Sequence, residues 1–337
     1  MTTNDNLNHD ASDSMEKWVS EFPAQLKQSL AFPLLGNKPL KSHTNALICG
    51  MGGSAIGADL LLDGLGGRIT IPFVVNRGPL IPSWVNEHTL VVVSSYSGDT
   101  YETVTACEVA IARKATVLVL TSGGKLAKIA EPLNLFRMLV PGGYPPRAAL
   151  GYMYCGLWRL LFEAGVAPNP EHEINEAIVL LCNSETVLTS NNDDKSLVNG
   201  IARHLNGKIA WIWAPRRLAS VARRWANQFS ENAKLPAHWS QLPEAFHNEI
   251  IGLCDNPNPF ENIQVVLMRD PLEEGPIDRA ESLLRETGLN PIIVKRSGED
   301  IASLLFLVTL GDRISLELAR AQGVQPTPIP AIKKLKA

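Results

Sequence analysis

The chain has 337 residues, 45% of them hydrophobic and 19% charged, with a formal net charge of −3. That length allows two domains with separate cores, and the near-balanced charge gives no footprint for a nucleic-acid partner. No apolar run reaches the roughly 18–20 residues that span a bilayer, and the polar, acidic start over 1–14 lacks the apolar segment of a secretory signal. Five cysteines, Cys49, Cys107, Cys155, Cys182 and Cys254, stand far apart with no C-x-x-C pair. That spacing argues against a zinc or disulfide framework and for reduced core residues in a cytoplasmic protein.

In chain order, 1–14 is expected to be a disordered tail, followed over 15–43 by a lead-in whose residues 16–32 have the pattern of an amphipathic helix. A first α/β domain is expected over 44–167. Its short apolar runs predict strands at 45–49, 71–75, 89–94, 116–121 and 135–140, and helical periods predict helices at 54–64, 100–113, 124–130 and from near Arg147. Residues 168–192 read as a connection carrying a helix rich in Glu and Leu. A second domain over 193–337 repeats the alternation, with strands at 208–213, 263–268 and 291–294, helices at 218–234, 276–287 and 301–322, and a C-terminal helical tail. Strand and helix alternating in this way predict an α/β fold of two tandem three-layer αβα domains with parallel sheets, related as a pseudo-twofold duplication.

Two turns carry the chemistry. Gly50-Met51-Gly52-Gly53-Ser54 follows the first strand and opens a helix, and Ser94-Ser95-Tyr96-Ser97-Gly98-Asp99-Thr100 follows the third. Open α/β sheets bind ligands at the carboxyl ends of their strands, where bare N–H groups and hydroxyls face an anion. Gly53, Ser54, Ser95, Ser97 and Thr100 therefore point to one phosphate held from two sides. The glycine spacing is neither G-x-G-x-x-G nor G-x-x-x-x-G-K-[ST], which argues against a dinucleotide or a P-loop nucleotide.

Arg147, after Pro145-Pro146, is badly placed for its own helix dipole and so suits a substrate oxygen or a negative intermediate, or else a bridging salt bridge. Glu231 falls near the C-terminal end of a helix, where the dipole favours a more basic carboxylate; Asn227 and Lys234 stand at helical spacing from it. A solvent-facing glutamate fits the same composition. Of seven histidines, His247 in Leu242-Pro243-Glu244-Ala245-Phe246-His247-Asn248 has the most polar neighbours and reads equally as a catalyst or as a surface or interface residue. No second His or Cys at ligand spacing accompanies it. The last lysines, Lys336 among them, fit a solvated tail.

Taken together, G-M-G-G-S (50–54), S-Y-S-G-D-T-Y-E-T (95–103), P-R-A-A-L (146–150), N-Q-F-S-E-N-A-K (227–234), L-P-E-A-F-H-N (242–248) and the proline-rich run ending I-x-x-L-K (332–336) resemble, in order and spacing, the bifunctional phosphoglucose/phosphomannose isomerases, which are built from two sugar-isomerase (SIS) domains. The resemblance covers about 44–336. It implies that Gly53, Ser54, Ser95, Ser97 and Thr100 bind a sugar phosphate, that Arg147 lies beside the reacting carbons, that Glu231 is the base, and that His247 and Lys336 open the sugar ring. Asp99 stands where the family commonly has Asn, Ala55 where it has Gly, and Ile329 where some relatives have Thr. Losing a hydrogen-bonding group at 329 favours the glucose over the mannose activity.

The implied reaction interconverts glucose 6-phosphate and fructose 6-phosphate through a cis-enediolate, with no redox step and no cofactor or metal. The family also implies a homodimer in which His247 reaches the neighbouring chain's site. A non-catalytic phosphosugar-sensing SIS protein is the alternative; it would have no need of Glu231, His247 and Lys336 together. Sugar amination is disfavoured because Met1-Thr2-Thr3 offers no nucleophilic cysteine.

Overall fold

Residues 14–39, 42–188, 196–256, 261–273 and 275–336 are described by a computed structural model, the side chains of Thr186 and Lys336 excepted. Apart from Ser14, the tail expected over 1–14 lies outside the described residues, as do 189–192 of the expected connection. The chain divides into two compact units, 21–178 and a second made of 179–337 with the segment before residue 21.

Instead of one leading helix there are two, α1 over 14–20 and α2 (Phe22–Ala31), with a turn at Glu21. Pro23 in the first turn of α2 has no N–H to continue the helical ladder, so the break falls just before it.

In the first unit the strands are β1 (Leu34–Leu35), β2 (Asn45–Cys49), β3 (Phe73–Asn76), β4 (Thr89–Ser94), β5 (Thr116–Thr121) and β6 (Phe136–Leu139), in the order β1-β6-β5-β4-β2-β3. All neighbours are parallel except β1, which pairs antiparallel with β6 as an edge of two residues. Every residue of β4 is buried, as a strand covered on both faces requires. One face sets Leu47, Val91, Val93, Val117 and Val119 against α4 (Tyr101–Ala112) and α5 (Gly124–Ala130). On the other, Leu120 and Met138 meet Gly156 of α6 (Leu150–Glu163), which also packs against α2 and α3 (Gly52–Leu65). The expected strands at 45–49, 89–94 and 116–121 and the helix at 124–130 match end for end. Near Arg147 a 3₁₀ turn (Pro146–Ala148) precedes the long helix.

After α7 (Glu171–Asn183), α8 (Glu185–Leu188) and α9 (Leu197–Leu205), the second unit has β7 (Ile209–Pro215), α10 (Ala219–Asn232), β8 (Ala237–Leu242), α11 (Glu249–Cys254), β9 (Ile263–Arg269), α12 (Ile277–Glu286), β10 (Ile292–Lys295), α13 (Ile301–Ala321) and α14 (Pro330–Lys336). Its parallel sheet runs β10-β9-β7-β8. That order repeats β5-β4-β2-β3 of the first unit, strand for strand in chain sequence. One face packs Trp213, Val265 and Leu267 on α11 and α12. Helix α10 lies against β7 and β8, and α13 packs on α9 and α10. β8 was not anticipated, because His238, Ser240 and Gln241 dilute its apolar pattern; as an edge strand it is only half-buried over Ala237–Ser240.

Cys49, Cys107 and Cys155 are buried, and burial pushes each thiol up to about 12, which makes them inert core residues. Cys182 departs from the expected core placement: it is exposed on α7. Among the described residues no helix is long and apolar enough to cross a membrane.

Candidate functional site

In the first unit, β2 and β4 run side by side and deliver both small-residue turns to one end of the sheet. Two hydroxyls build the turns rather than line them. Buried Ser54 accepts the Tyr96 N–H at 3.0 Å and so ties the first turn to the second. Buried Ser95 accepts the Gly98 N–H and donates to Thr100 Oγ1, both at 3.2 Å. Ser97 is exposed, its Oγ accepting the Asp99 N–H at 3.3 Å, and Thr100 is half-buried. Neither α3 nor α4 has a side-chain cap at its N-terminus, which leaves first-turn N–H groups and the positive dipole end for an anion.

Gly98 has φ +71°, and a Cβ there would stand 1.9 Å from the Gly123 carbonyl oxygen. Only glycine fits. Gly98→Ala is expected to cost about 1–3 kcal/mol from backbone strain alone, read as a lower melting temperature of the first unit. Asp99 has a local task that its neighbours in sequence do not suggest: its Oδ1 accepts the Lys125 N–H at 2.9 Å and fastens the turn to the start of α5.

Arg147 reaches the same end of the sheet through its backbone. A Cβ on Gly53 would lie 3.2 Å from Arg147 Cα, so the start of α3 and the Arg147 turn are in close approach. The guanidinium-bearing residue is buried, at 4% exposure. Gln25, which lies outside the motifs, holds this turn, and Tyr96, inside the second motif, holds the segment that leads into it. Gln25, buried on α2, donates to the Ala148 carbonyl at 2.8 Å and accepts the Gly151 N–H at 3.0 Å. Tyr96 donates its hydroxyl to the Pro141 carbonyl at 2.8 Å and accepts the Tyr144 N–H at 3.0 Å. Gly53, Ser54, Ser95, Ser97, Thr100 and Arg147 thus gather at one end of the first sheet.

In the second unit Glu231 is half-buried in the last turn of α10. That helix is fixed by a buried polar spine that runs beside Glu231, which stands three residues after Gln228 and seven after Arg224. Arg224 donates to both oxygens of Asp312 on α13 at 2.9 and 2.5 Å, Gln228 donates to the same carboxylate at 3.0 Å, and Asn232 donates to Ser315 Oγ at 2.9 Å. These positions recur every four residues, so the spine sets the rotation of α10, and Asn227 and Ser230 fall on its exposed side. Lys234, at φ +58°, turns its ammonium back to the Glu231 carbonyl (2.5 Å) and to the Pro326 carbonyl (3.1 Å). It fastens the end of α10 to the segment leading into α14. The backbone of Lys336 ends α14, and its side chain lies outside the described residues.

His247 is exposed at the end of a 3₁₀ turn (Glu244–His247), and its ring has no hydrogen-bond partner among the described residues. No described contact joins it to Glu231. Two residues on, Glu249 is a hub: its Oε2 accepts the indole N–H groups of Trp211 (2.9 Å) and Trp213 (2.8 Å), and its Oε1 takes the Ser240 hydroxyl and stands 3.2 Å from His238 Nε2. Burial works against ionisation here, but the hydrogen bonds from Ser240, Trp213, His238 and Trp211 outweigh it and hold the Glu249 carboxyl below the usual range. A cavity of about 340 Å³ opens beside the same turn, walled by Leu242, Pro243 and Phe246 with Arg216 and Glu273. Its lining is mostly apolar.

In the second sheet the strands that match β2 and β4 are β7 and β9, and they run into Arg216-Arg217-Leu218 and Asp270-Pro271-Leu272 instead of Gly- and Ser-rich turns. Asp270 and Arg296, which follow β9 and β10, form a fully buried ion pair of 2.8 Å. Arg296 spends its remaining donors on Ser303 Oγ and the carbonyls of Glu299 and Asp300.

Two sheets of matching strand order, one opening onto hydroxyl turns at helix N-termini, define a tandem α/β protein of the SIS type. A family model described as the bacterial phospho-glucose isomerase C-terminal SIS domain matches residues 194–337. A bifunctional phosphoglucose/phosphomannose isomerase of Caldicellulosiruptor bescii is 33% identical over 298 residues, 86% of this chain and 88% of that protein. Its namesake in Aquifex aeolicus is 32% identical over 305 residues, covering 89% and 91%. The chain belongs to the bifunctional phosphoglucose/phosphomannose isomerase family. The structure of tagatose-6-phosphate ketose/aldose isomerase from Escherichia coli superposes with a TM-score of 0.68 at 16% identity, covering 93% of this chain and 94% of that one, a likeness of fold.

Proposed function

We propose that this chain is an aldose–ketose isomerase that interconverts glucose 6-phosphate, and also mannose 6-phosphate, with fructose 6-phosphate. The observation that carries it is the pair of turns tied by Ser54 and Ser95, which leaves Ser97, Thr100 and two uncapped helix starts at one sheet end. The relatives' names support both sugars, against the preference for glucose drawn from Ile329.

In this reading Ser97 and Thr100 bind the phosphate, with Gly53, Ser54 and Ser95 keeping the turns in shape. His247 and Lys336 move protons between the ring oxygen and the anomeric hydroxyl, work suited to an imidazole near neutrality. Glu231 takes the C2 proton of the open chain and returns it to C1 through a cis-enediolate. Arg147 stabilises the developing oxyanion, and its burial strengthens that interaction. Mannose 6-phosphate presents the opposite C2 epimer, so rotation of the enediolate about C2–C3 lets one base serve both sugars.

We further read the protein as cytoplasmic and homodimeric, with SIS domains at 44–167 and 193–337; an exposed His247 with no hydrogen-bond partner among the described residues fits a role in a neighbouring chain's site.

The test is a coupled assay on glucose 6-phosphate and mannose 6-phosphate separately, with a chelator present. Turnover of either supports isomerisation, and binding of both without turnover would favour a phosphosugar sensor. Ser97→Ala and Thr100→Ala are each expected to raise KM about tenfold or more with kcat little changed, because a hydrogen bond to a charged group contributes about 1.5–3 kcal/mol. Unaltered KM in both variants would move the phosphate elsewhere.

A further inference from the structure

We propose that Glu249 is the positioning residue that seats His247 for ring opening; this rests on the role given to His247 above. The imidazole of His247 has no partner of its own among the described residues, so the backbone of its turn sets where it stands. That backbone is bracketed by one indole. On the N-terminal side, the Phe246 ring meets Trp213 edge-on, with centroids 5.8 Å apart. On the C-terminal side, the Glu249 carboxylate accepts the Trp213 N–H and, through the same oxygen, the Trp211 N–H. The other oxygen holds Ser240 of the edge strand β8. Asn248, between the two, accepts the Glu249 N–H at 2.6 Å and donates to Glu244 at 3.2 Å, which closes the turn on itself.

The carboxylate is specifically required. Two indole N–H groups and a hydroxyl are all donors, and they need an acceptor on both oxygens of residue 249. Glutamine keeps the size but turns an amide N–H₂ toward one set of donors. The turn then loses its hold on β7 or on β8. A group displaced by about 1 Å from its reacting atom loses up to about 100-fold in rate. The described partners of Glu249 are Trp211, Trp213, His238, Ser240 and Asn248, so its effect passes through the His247 turn.

The experiment is exchange NMR between the α and β anomers of glucose 6-phosphate, with isomerisation to fructose 6-phosphate followed in the same sample. It compares the full-length protein with Glu249→Gln, Trp211→Phe and His247→Ala. Anomer exchange reads ring opening alone. Glu249→Gln is expected to slow it at least about tenfold while KM stays within about twofold, a split that a general loss of structure would not produce. Trp211→Phe keeps the ring and removes one donor to Glu249, so it slows exchange by a smaller factor; it decides the matter where Glu249→Gln does not fold. Slow exchange in His247→Ala with wild-type exchange in folded Glu249→Gln, or in folded Trp211→Phe, overturns the positioning role alone. Wild-type exchange in His247→Ala overturns the role of His247 itself, and the inference with it.

Discussion

Glu231→Gln is expected to leave phosphosugar binding intact and to lower kcat by about 10⁴-fold, the upper end of what a positioned general base contributes. Gln has nearly the same shape, so the end of α10 and the Lys234 contacts to the Glu231 and Pro326 carbonyls survive. What disappears is the only function an amide cannot supply, acceptance of a proton from carbon. Calorimetry with fructose 6-phosphate reads the binding, and deuterium incorporation at C2 from heavy water reads the proton transfer. Both sugars should lose turnover together, because the proposed mechanism uses one base for both epimers. Undiminished kcat in a folded variant would remove Glu231 from the chemistry.

The largest loss of stability is expected from Asp312→Ala. Asp312 is 6% exposed and Arg224 3%, and the carboxylate also takes the Gln228 amide. Removing one partner of a buried pair strands the other charge away from water, which costs about 3–5 kcal/mol. An exposed ion pair such as Arg320–Glu16 contributes at most about 1 kcal/mol, so the two classes of variant separate clearly in a urea titration of the second unit. Replacing Arg224 and Asp312 together by apolar residues of similar volume should recover most of the loss. The same change should also reduce kcat more than it raises KM, since the Arg224–Gln228–Asn232 spine sets the rotation of the helix that carries Glu231. A midpoint within the error of wild type would mean that Arg224 finds water in the folded state.

The strands that the apolar runs located best, 89–94 and 116–121, are those buried on both faces, where the chain has to be continuously apolar. β8 escaped notice for the opposite reason: it is an edge, and Ala237–Ser240 are only half-buried. The two hydroxyl-rich turns were legible because Gly and Ser in a strand-to-helix turn answer to local backbone geometry. The division of labour among their hydroxyls was not. That Ser54 and Ser95 face inward while Ser97 faces out depends on how β2 and β4 pair. Gln25, which holds the Arg147 turn, left no signal, since it lies 123 residues from the carbonyl it binds. Glu249 looked like one more acidic neighbour of His247 until β7 and β8 brought two indoles and a serine to it.

By itself the amino-acid order determined the alternation of strands and helices, the two hydroxyl-rich turns and the family, because each is written in residue type and spacing over a few consecutive positions. Tertiary structure alone decided which hydroxyls face outward, what holds Arg147, Glu231 and His247 in place, and that Asp270 and Arg296 pair in the interior of the second unit. Those outcomes depend on hydrogen bonds between residues tens to more than a hundred positions apart, and such pairs meet only after the sheets have set their register.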